Sequence, residues 1–404
     1  MEHYNYLAFA MPAFFLFVFL EYKAAQRKKK PELFKYESSI SNVSIGIAER
    51  LINLFIAATF YDIYFWVYNN YALYTIPNNW MVWVGLILAT DFVWYWYHRL
   101  GHEVNIFWAA HIVHHHSEEF NFTAAARITT IQAIIRTGFW CLLPLVGFHS
   151  NMVITMLLVH GSYSFFTHTQ IIGRVKWLEY VFITPSLHGV HHASDEKYLD
   201  KNYGDMFVFW DKMFGTFQVE EEQPKYGLTH PLKSYSFLWM HFHYYFEIYE
   251  SYKRASSFKG KWAAVFGSPA VMDQDIRPEL EKKFLQDRGL KLSQLRFKGY
   301  LAFQIALSTI ILMWFTYFYT YQGIVDKLFT LSFILITLIN CGAMLEQRKW
   351  IYYLEYCRLF LIFAYLLDLQ GQTKYLFVPV MLMIISEKSF SLGKHYQQYV
   401  LQTK

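Results

Sequence analysis

Residues 91–127 decide the fold, and they read DFVWYWYHRLGHEVNIFWAAHIVHHHSEEFNFTAAAR. An apolar run ends here and passes directly into a cluster of histidines. Two histidine boxes lie in this stretch, H-x3-H at His98 and His102, and H-x2-H-H at His111, His114 and His115. Residues three and four apart lie on the same face of a helix. Each box is therefore predicted to direct its imidazoles to one side of a helix.

A third box of the same H-x2-H-H spacing occurs in residues 184–217, TPSLHGVHHASDEKYLDKNYGDMFVFWDKMFGTF, at His188, His191 and His192. Neutral imidazole is the commonest side-chain metal ligand. Eight box histidines exceed what one tetrahedral metal ion can use, so the pattern predicts two metal ions. His168 is expected to lie at the same membrane face as the three boxes, and it is a ninth candidate ligand. His116 points away from its box by helical spacing and is expected to be a neighbour.

The composition indicates a membrane protein, because 55% of the 404 residues are apolar and only 17% are charged. Soluble domains carry about 25% charged residues. A membrane helix needs about 20 mostly apolar residues. Candidate spans lie at residues 6–22, 43–68, 80–97, 128–147, 151–169, 300–321, 326–346, 350–368 and 373–388. The pair 128–147 and 151–169 is either two full spans or a hairpin that enters the membrane and returns. The net charge of +5 does not indicate a nucleic-acid partner.

Basic residues orient the predicted spans, because loops rich in Lys and Arg stay in the cytoplasm. The run KAAQRKKKPELFK at residues 23–35 is strongly basic, so all three boxes are predicted to face the cytoplasm. The expected fold is an all-α, multipass membrane protein with a cytoplasm-facing helical cap that holds a histidine-rich di-metal site. It is expected in the endoplasmic reticulum membrane of a eukaryote or the inner membrane of a bacterium. The predicted divisions are N-terminal membrane helices at 1–79, a catalytic core at 80–250, a cytoplasmic amphipathic linker at 251–299 and C-terminal membrane helices at 300–404.

The residues around the boxes suggest how such a site would work. Three cysteines without a C-x-x-C pair exclude a zinc–thiolate site, whereas imidazole suits iron among other metals. A pair of irons can bind O2 and attack a lipid C–H bond. Metal-bound histidines usually donate their outer N–H to a carboxylate or a carbonyl. The candidates for this supporting role are Asp91, Asp200 and Asp211, with Glu103 as the candidate catalytic carboxylate and Asn202 and Tyr203 as candidate substrate-binding residues.

The three boxes and their flanking sequence resemble the fatty acid hydroxylase / sterol desaturase superfamily of membrane di-iron enzymes. The resemblance implies that the eight box histidines are iron ligands, that His168 matches a further histidine of related hydroxylases, and that Glu103 is the acidic residue after the first box. Residues 334–362, ILITLINCGAMLEQRKWIYYLEYCRLFLI, resemble the extra C-terminal helices of the branch that cleaves glyceryl ethers. That branch implies hydroxylation of the ether-linked carbon of alkylglycerols, with tetrahydrobiopterin as an external reductant.

Two other functions fit the same pattern. A fatty-acyl or sterol hydroxylase or desaturase would use the same iron ligands. A membrane metal transporter or metal-binding protein would also use histidines, but its ligands would lie near the midplane of several spans. The expected partners of an enzyme are a lipid substrate, O2, an external electron donor and the bilayer. No G-x-G-x-x-G motif for a dinucleotide follows a predicted strand, so the electrons are expected to come from outside the chain.

Overall fold

The computed structural model describes residues 5–285 and 297–399, and this part of the chain is helical with no β-strand. Only two isolated antiparallel bridges occur there, between Phe182 and Phe207 and between Ala193 and Tyr226. The α-helices are α1 Ala10–Arg27, α2 Tyr36–Tyr71, α3 Trp80–Glu103, α4 Asn105–His115, α5 Thr130–Trp140, α6 Leu142–Val146, α7 Ser150–Thr167, α8 Pro185–His191, α9 Phe209–Phe214, α10 Phe237–Arg254, α11 Phe258–Phe266, α12 Ile276–Phe284, α13 Lys298–Tyr317, α14 Ile324–Leu345, α15 Ile351–Leu369, α16 Phe377–Phe390 and α17 Leu392–Tyr399.

The described residues form two compact units. The larger contains Phe14–Lys233 and His241–Arg277, and it carries all three histidine boxes. The smaller contains Ser234–Met240 together with the described residues before Phe14 and after Arg277. Within the smaller unit α14 packs against both α13 and α15, so these three consecutive helices pack together.

Four helical stretches of the described chain are long and apolar enough to cross a membrane, namely Tyr6–Arg27, Pro31–Tyr71, Lys298–Tyr317 and Ile324–Leu345. They coincide with four of the nine spans predicted from the sequence. Residues 128–147 contain a shorter apolar helical stretch, Thr130–Val146, which a turn at Cys141 divides into α5 and α6. It is shorter than the roughly 20 residues that a full span needs, so this region favours the hairpin over the full span. By the length and composition of these helices, the chain is an integral membrane protein.

The core of the larger unit lies where α2, α3, α5, α6 and α7 meet. Its buried members include Tyr64, Leu86, Tyr97, Trp140 and Met156. Trp140 is fully buried and packs edge-to-face against Tyr97 and Trp94 of α3. Burial of large aromatic side chains stabilises such a packing by several kcal/mol in total. This packing holds α3 and α7 side by side. His98 and His102 lie near the C-terminal end of α3, and His168 follows the last residue of α7.

The turn between α3 and α4 brings the first two boxes face to face. The side chain of Asn79 caps the start of α3 by accepting a hydrogen bond from the amide of Val82 at 3.1 Å. At the other end α3 stops at Glu103, and Asn105 starts α4. Asn105 donates from its amide to the carbonyl of Gly267 at 2.9 Å and accepts from the hydroxyl of Tyr244 at 2.7 Å. These bonds fix the direction in which α4 leaves α3.

A buried arginine holds the chain as it returns from the second box. Arg127 donates to the carbonyl of Val113 at 2.6 Å and to the side-chain oxygen of Asn42 at 2.7 Å. Its guanidinium also lies 3.1 Å from Nδ1 of His116. The His116 ring therefore lies against Arg127, and its centroid is 5.0 Å from that of the His243 ring.

Gly46 permits the close contact between α2 and residues 124–126. A Cβ atom at this position would lie 2.8 Å from Cβ and 3.1 Å from the carbonyl oxygen of Ala126. We expect Gly46→Ala to lower the free energy of unfolding by about 1–3 kcal/mol, because overpacking forces the backbones apart. Thermal unfolding of the detergent-solubilised variant measures this effect.

Gly85 of α3 provides the matched control, since a Cβ atom there would meet nothing within 4 Å. Gly85→Ala should leave stability unchanged or raise it by up to about 1 kcal/mol. Equal losses in the two variants would contradict the steric explanation.

Candidate metal centre

One group of imidazoles is assembled from three helices of the larger unit. Each member offers one nitrogen, and these nitrogens all lie within 4.8 Å of one another. The members are His98 and His102 of α3, His111 and His115 of α4, and His191 of α8. We call them group 1. The first two boxes are thus brought together with one histidine of the third box.

The ring nitrogens of group 1 lie too close together for all of them to form hydrogen bonds with one another. Nε2 of His111 lies 3.1 Å from Nε2 of His98 and 3.2 Å from Nε2 of His115. One proton can serve only one of these contacts, and two facing lone pairs repel. Nε2 of His102 and Nε2 of His191 are buried and have no hydrogen-bond partner. A cation among these nitrogens satisfies all of them, so the donor set fits a metal ion.

A second group contains His114 of α4, His168 at the end of α7, and His188 and His192 of α8 and its C-terminus. We call these four residues group 2. Nε2 of His168 lies 3.2 Å from Nε2 of His114 and 3.1 Å from Nε2 of His188. Nε2 of His192 lies 3.1 Å from the same atom of His188. The structure therefore brings His168 into the cluster, where the sequence had placed it only as a ninth candidate.

The two groups are neighbours. The rings of His115 and His192 stack with centroids 4.3 Å apart. The rings of His114 and His111 are 5.4 Å apart, and those of His191 and His188 are 5.5 Å apart. Each H-x2-H-H box divides its members between the groups, because residues one apart on a helix point in different directions. Nine imidazoles thus form one continuous cluster with room for two adjacent metals.

Backbone carbonyls set the tautomer of three ligand candidates. Nδ1 of His98 donates to the carbonyl of Tyr203 at 2.9 Å, and Nδ1 of His191 donates to the carbonyl of Lys201 at 2.9 Å. Nδ1 of His168 donates to the carbonyl of Ser164 at 2.7 Å. A carbonyl can only accept, so the proton must be on Nδ1. Each ring therefore presents the lone pair of Nε2 to its group, which is the arrangement that a metal ligand requires.

Burial keeps these imidazoles neutral. Removal from water disfavours the charged form, and the neighbouring imidazoles add to this effect. The pKa is lowered well below its usual value of about 6.5 for His102, His111, His114, His115, His188, His191 and His192. The neutral ring is the ligating form. Imidazoles alone suit Fe, Zn, Cu and Ni better than Ca or Mg.

The predicted acidic residues lie around the cluster rather than inside it. Oδ1 of Asp200 lies 4.0 Å from Nδ1 of His102 and accepts from the hydroxyl of Tyr203 at 3.3 Å. Asp211 accepts from the amides of Tyr203 and Gly204 at 2.7 and 2.9 Å. Asp211 thus holds the peptide whose carbonyl orients His98. It supports a ligand candidate through the backbone, without touching an imidazole.

Glu103 belongs to neither histidine group. Its Oε1 accepts from Nε of Arg99 at 2.8 Å, and its side chain is 44% exposed. Its charge is near enough to contribute, after burial, to a raised pKa of the Asp200 carboxyl. The structure therefore places Glu103 at the margin of group 1, paired with an arginine.

The two residues predicted to bind substrate are buried. Asn202 is fully buried, and its side chain donates to the carbonyls of Leu187 and Gln218 at 3.0 and 2.7 Å. Its side-chain oxygen accepts from the amide of Gln218 at 2.9 Å. Both polar atoms of the Asn202 side chain therefore form hydrogen bonds with backbone groups. The backbone of Asn202 is left-handed, with a φ of 56°. Asn202 shapes the loop below the cluster, and Tyr203 contributes its carbonyl to His98.

Sequence reasoning missed Gln132 of α5, which lies 3.0 Å from Nδ1 of His111 through its Nε2. Its Oε1 is buried without a partner. Rotating the side-chain amide of Gln132 by 180° exchanges its oxygen and nitrogen without changing its shape. Oε1 of Gln132 then accepts a hydrogen bond from Nδ1–H of His111. His111 would then present Nε2 to group 1 like its neighbours. No spacing rule connects Gln132 with a box, so only the packing of α5 on α4 reveals it.

We expect Gln132→Leu to weaken metal binding in group 1 by about 10–100-fold, the usual loss when the outer partner of a ligand histidine is removed. Competition with a chelator measures the affinity. Gln132→Glu should retain tight binding, because a carboxylate also accepts from Nδ1–H. Equal losses in both variants would contradict this role of the residue.

A helical membrane protein in which nine neutral imidazoles converge has the features of a histidine-box membrane metalloprotein. The family model for fatty acid hydroxylase matches residues 83–216, which contain every member of both groups. Alkylglycerol monooxygenase of Homo sapiens is 32% identical over 358 residues, covering 85% of this chain and 78% of the human protein. The Xenopus tropicalis protein of that name is 30% identical over 400 residues, covering 96% of this chain and 87% of the frog protein.

A shorter match, 30% identical over 146 residues, covers 35% of this chain and 44% of ornithine lipid hydroxylase OlsE of Rhizobium tropici. No solved structure matches the chain. The chain belongs to the fatty acid hydroxylase family, and it is a lipid monooxygenase of the membrane. The resemblance predicted from the three boxes is confirmed.

Proposed function

We propose that this protein is a di-iron monooxygenase that uses O2 to hydroxylate a lipid C–H bond, with the ether-linked carbon of an alkylglycerol as the first candidate. The observation that carries the proposal is the adjacency of the two imidazole groups, whose rings approach to 4.3 Å. Group 1 would hold one iron and group 2 the other. Two adjacent irons, when bound, supply the paired electrons that activate O2 for attack on an unactivated C–H bond.

The protein's own residues would position and protect this chemistry. The carbonyls of Lys201, Tyr203 and Ser164 orient three ligand histidines before any metal arrives. Such preorganisation lowers the cost of assembling the site. All box histidines are buried except His102, whose side chain is 8% exposed. Water is therefore largely excluded from the cluster, which limits side reactions of activated oxygen.

The proposed hydroxylation needs an electron pair that must come from outside the chain. One oxygen atom of O2 enters the C–H bond, and the other leaves as water after taking up two protons and two electrons. Hydroxylation next to an ether oxygen yields a hemiacetal, which breaks down to a fatty aldehyde and a glycerol derivative. The electron pair must come from an external reductant, and tetrahydrobiopterin is the candidate implied by the family resemblance. The alkylglycerol monooxygenase relatives support the choice of substrate.

A second candidate is hydroxylation or desaturation of a fatty-acyl or sterol lipid at the same irons. The match to an ornithine lipid hydroxylase favours keeping this alternative, although it covers a smaller part of the chain. Metal transport has less support, because the family is one of enzymes and the histidines form one compact cluster. The basic run at residues 23–35 supports an active site that faces the cytoplasm, in the endoplasmic reticulum membrane or a bacterial inner membrane.

Turnover by the purified, iron-loaded protein in lipid nanodiscs tests the proposal. The panel contains a 1-O-alkylglycerol, a fatty-acyl lipid and a sterol, each with O2 and either tetrahydrobiopterin or a reduced ferredoxin. We expect aldehyde from the alkylglycerol, with one O2 consumed per aldehyde, and two irons per chain by elemental analysis. A hydroxylated or unsaturated product from another lipid would favour the second candidate. Loss of metal to the opposite side of a vesicle without any oxidised lipid would contradict both.

A further inference from the structure

A buried triad of ionisable side chains lies beside the metal cluster and belongs to neither group. Nδ1 of His160, on α7, donates to Oδ2 of Asp205 at 2.7 Å. The same nitrogen lies 3.8 Å from Oδ1 of Asp91 on α3. The side chains of His160 and Asp91 are fully buried, and that of Asp205 is 3% exposed. Three buried ionisable groups in contact need a structural or chemical reason.

The contacts favour an ion pair over a third metal site. The separation of 2.7 Å is that of a charge-assisted hydrogen bond. The oxygens of Asp91 already accept from the amides of Met206 and Phe207 at 2.8 and 3.2 Å. They also accept from the indole N–H of Trp210 at 3.0 Å. Asp91 thus holds the chain just after Asp205, while His160 holds the Asp205 side chain itself.

The triad reaches both histidine groups through short stretches of backbone. Two residues before Asp205, the carbonyl of Tyr203 orients His98, and two residues earlier the carbonyl of Lys201 orients His191. On α7, one helical turn after His160, the carbonyl of Ser164 orients His168. The indole of Trp94 lies between the triad and group 1, since it stacks on His160 at 6.5 Å and meets His98 edge-on at 6.3 Å.

We propose that His160 and Asp205 are positioning residues for the metal centre, an inference that rests on the proposed function. Their ion pair ties α7 to residues 201–205, and Asp91 ties α3 to the same segment. Because the segment carries the carbonyl acceptors of His98 and His191, its placement sets the direction of two Nε2 atoms in group 1. The imidazole of His160 acts through this backbone and takes no part as a ligand.

The test uses Asp205→Asn and His160→Gln, which break the pair from opposite sides at nearly constant volume. Each full-length protein is loaded with Co²⁺, and its metal content, visible absorption spectrum and rate of metal release to a chelator are measured. We expect two metals per chain in both variants, a changed Co²⁺ spectrum, and release from group 1 faster by about 10-fold. The double variant should resemble either single variant. Ser162→Ala, which removes an exposed hydroxyl bonded to Leu158 on the same helix, should leave all three readouts unchanged.

Four results would overturn the proposed positioning role of His160 and Asp205 or the function on which it rests. Unchanged spectra and release rates in both single variants would overturn the positioning role. Effects that add in the double variant would overturn the ion pair as the link, because independent sites are additive. A third metal in the unmodified protein that disappears in His160→Gln would replace the proposal with a cation site at the triad. A wild-type protein that binds no metal at all would instead remove the proposed function on which the inference rests.

Discussion

His191→Ala should abolish lipid turnover while the protein still folds and inserts into the membrane. Nε2 of His191 is buried in group 1 without a hydrogen-bond partner, and its Nδ1 is fixed by the carbonyl of Lys201. Removing the ring leaves group 1 with four imidazoles and opens a gap on its α8 side. We expect a loss of activity well beyond the roughly 100-fold that outer partners cause. The metal content should fall from two ions per chain towards one.

His114→Ala is the equivalent change in group 2, where it leaves three imidazoles. It should likewise abolish turnover, but the metal that remains is then the one in group 1. Mössbauer spectra of the two iron-loaded variants should therefore differ from each other. His230→Ala is the control, because this exposed histidine lies outside both groups. Retained turnover in either box variant, with normal metal content, would count decisively against the dinuclear centre.

Asp211→Ala should produce the largest loss of stability in the larger unit. The fully buried carboxylate accepts from the amides of Tyr203 and Gly204 and from the hydroxyl of Thr216 at 2.7 Å. Its removal leaves the two buried amides unpaired, and the hydroxyl of Thr216 keeps only the hydroxyl of Tyr95 at 3.1 Å as a partner. Each unpaired buried donor costs about 1–3 kcal/mol. We expect the free energy of unfolding to fall by about 3–5 kcal/mol, measured by thermal unfolding in detergent. Metal release from group 1 should also accelerate, because Tyr203 loses its anchor.

Asp273→Ala is the surface counterpart of this change. Asp273 is half exposed, pairs with Arg254 at 3.5 Å and accepts from the amide of Asp275 at 3.0 Å. Because both contacts are exposed to water, its removal should cost about 1 kcal/mol or less. A loss for Asp211→Ala as small as that of Asp273→Ala would mean that the loop after the third box holds its shape without the carboxylate. The role of Asp211 in supporting His98 would then be wrong.

Helical periodicity accounts for the part of the site that could be predicted. The spacings of His98 with His102 and of His188 with His192 place each pair on one helix face, because four residues make about one turn. The expectation of an all-helical membrane protein with a histidine-rich cluster able to hold metals is confirmed for the described residues. The burial of the boxes follows from the apolar runs that surround them. Periodicity could not show how the boxes would combine.

Contacts between distant segments account for what the pattern missed. Each H-x2-H-H box divides between the two groups, and this division depends on how α4 and α8 cross. Gln132 and the carbonyl of Ser164 contact ligand candidates from other helices, and neither carries a local signal. Asp91, predicted to support a ligand histidine directly, instead holds the amides of Met206 and Phe207. The spacing of these residues in the sequence could not distinguish these roles.

The linear pattern of this chain was enough to predict a helical membrane protein with a histidine-rich cluster. These two features depend on composition and on separations of a few residues, which local backbone geometry converts directly into faces and spans. The lipid-oxidising family followed instead from a resemblance, which the relatives confirm. The division into five and four imidazoles, the tautomers of His98, His168 and His191, and the supporting network around residues 201–207 emerged from the folded chain. These features depend on residues that are far apart in the chain, such as Asp91 and Met206, which are separated by 115 positions. Side chains that far apart in the chain meet only after the helices have packed.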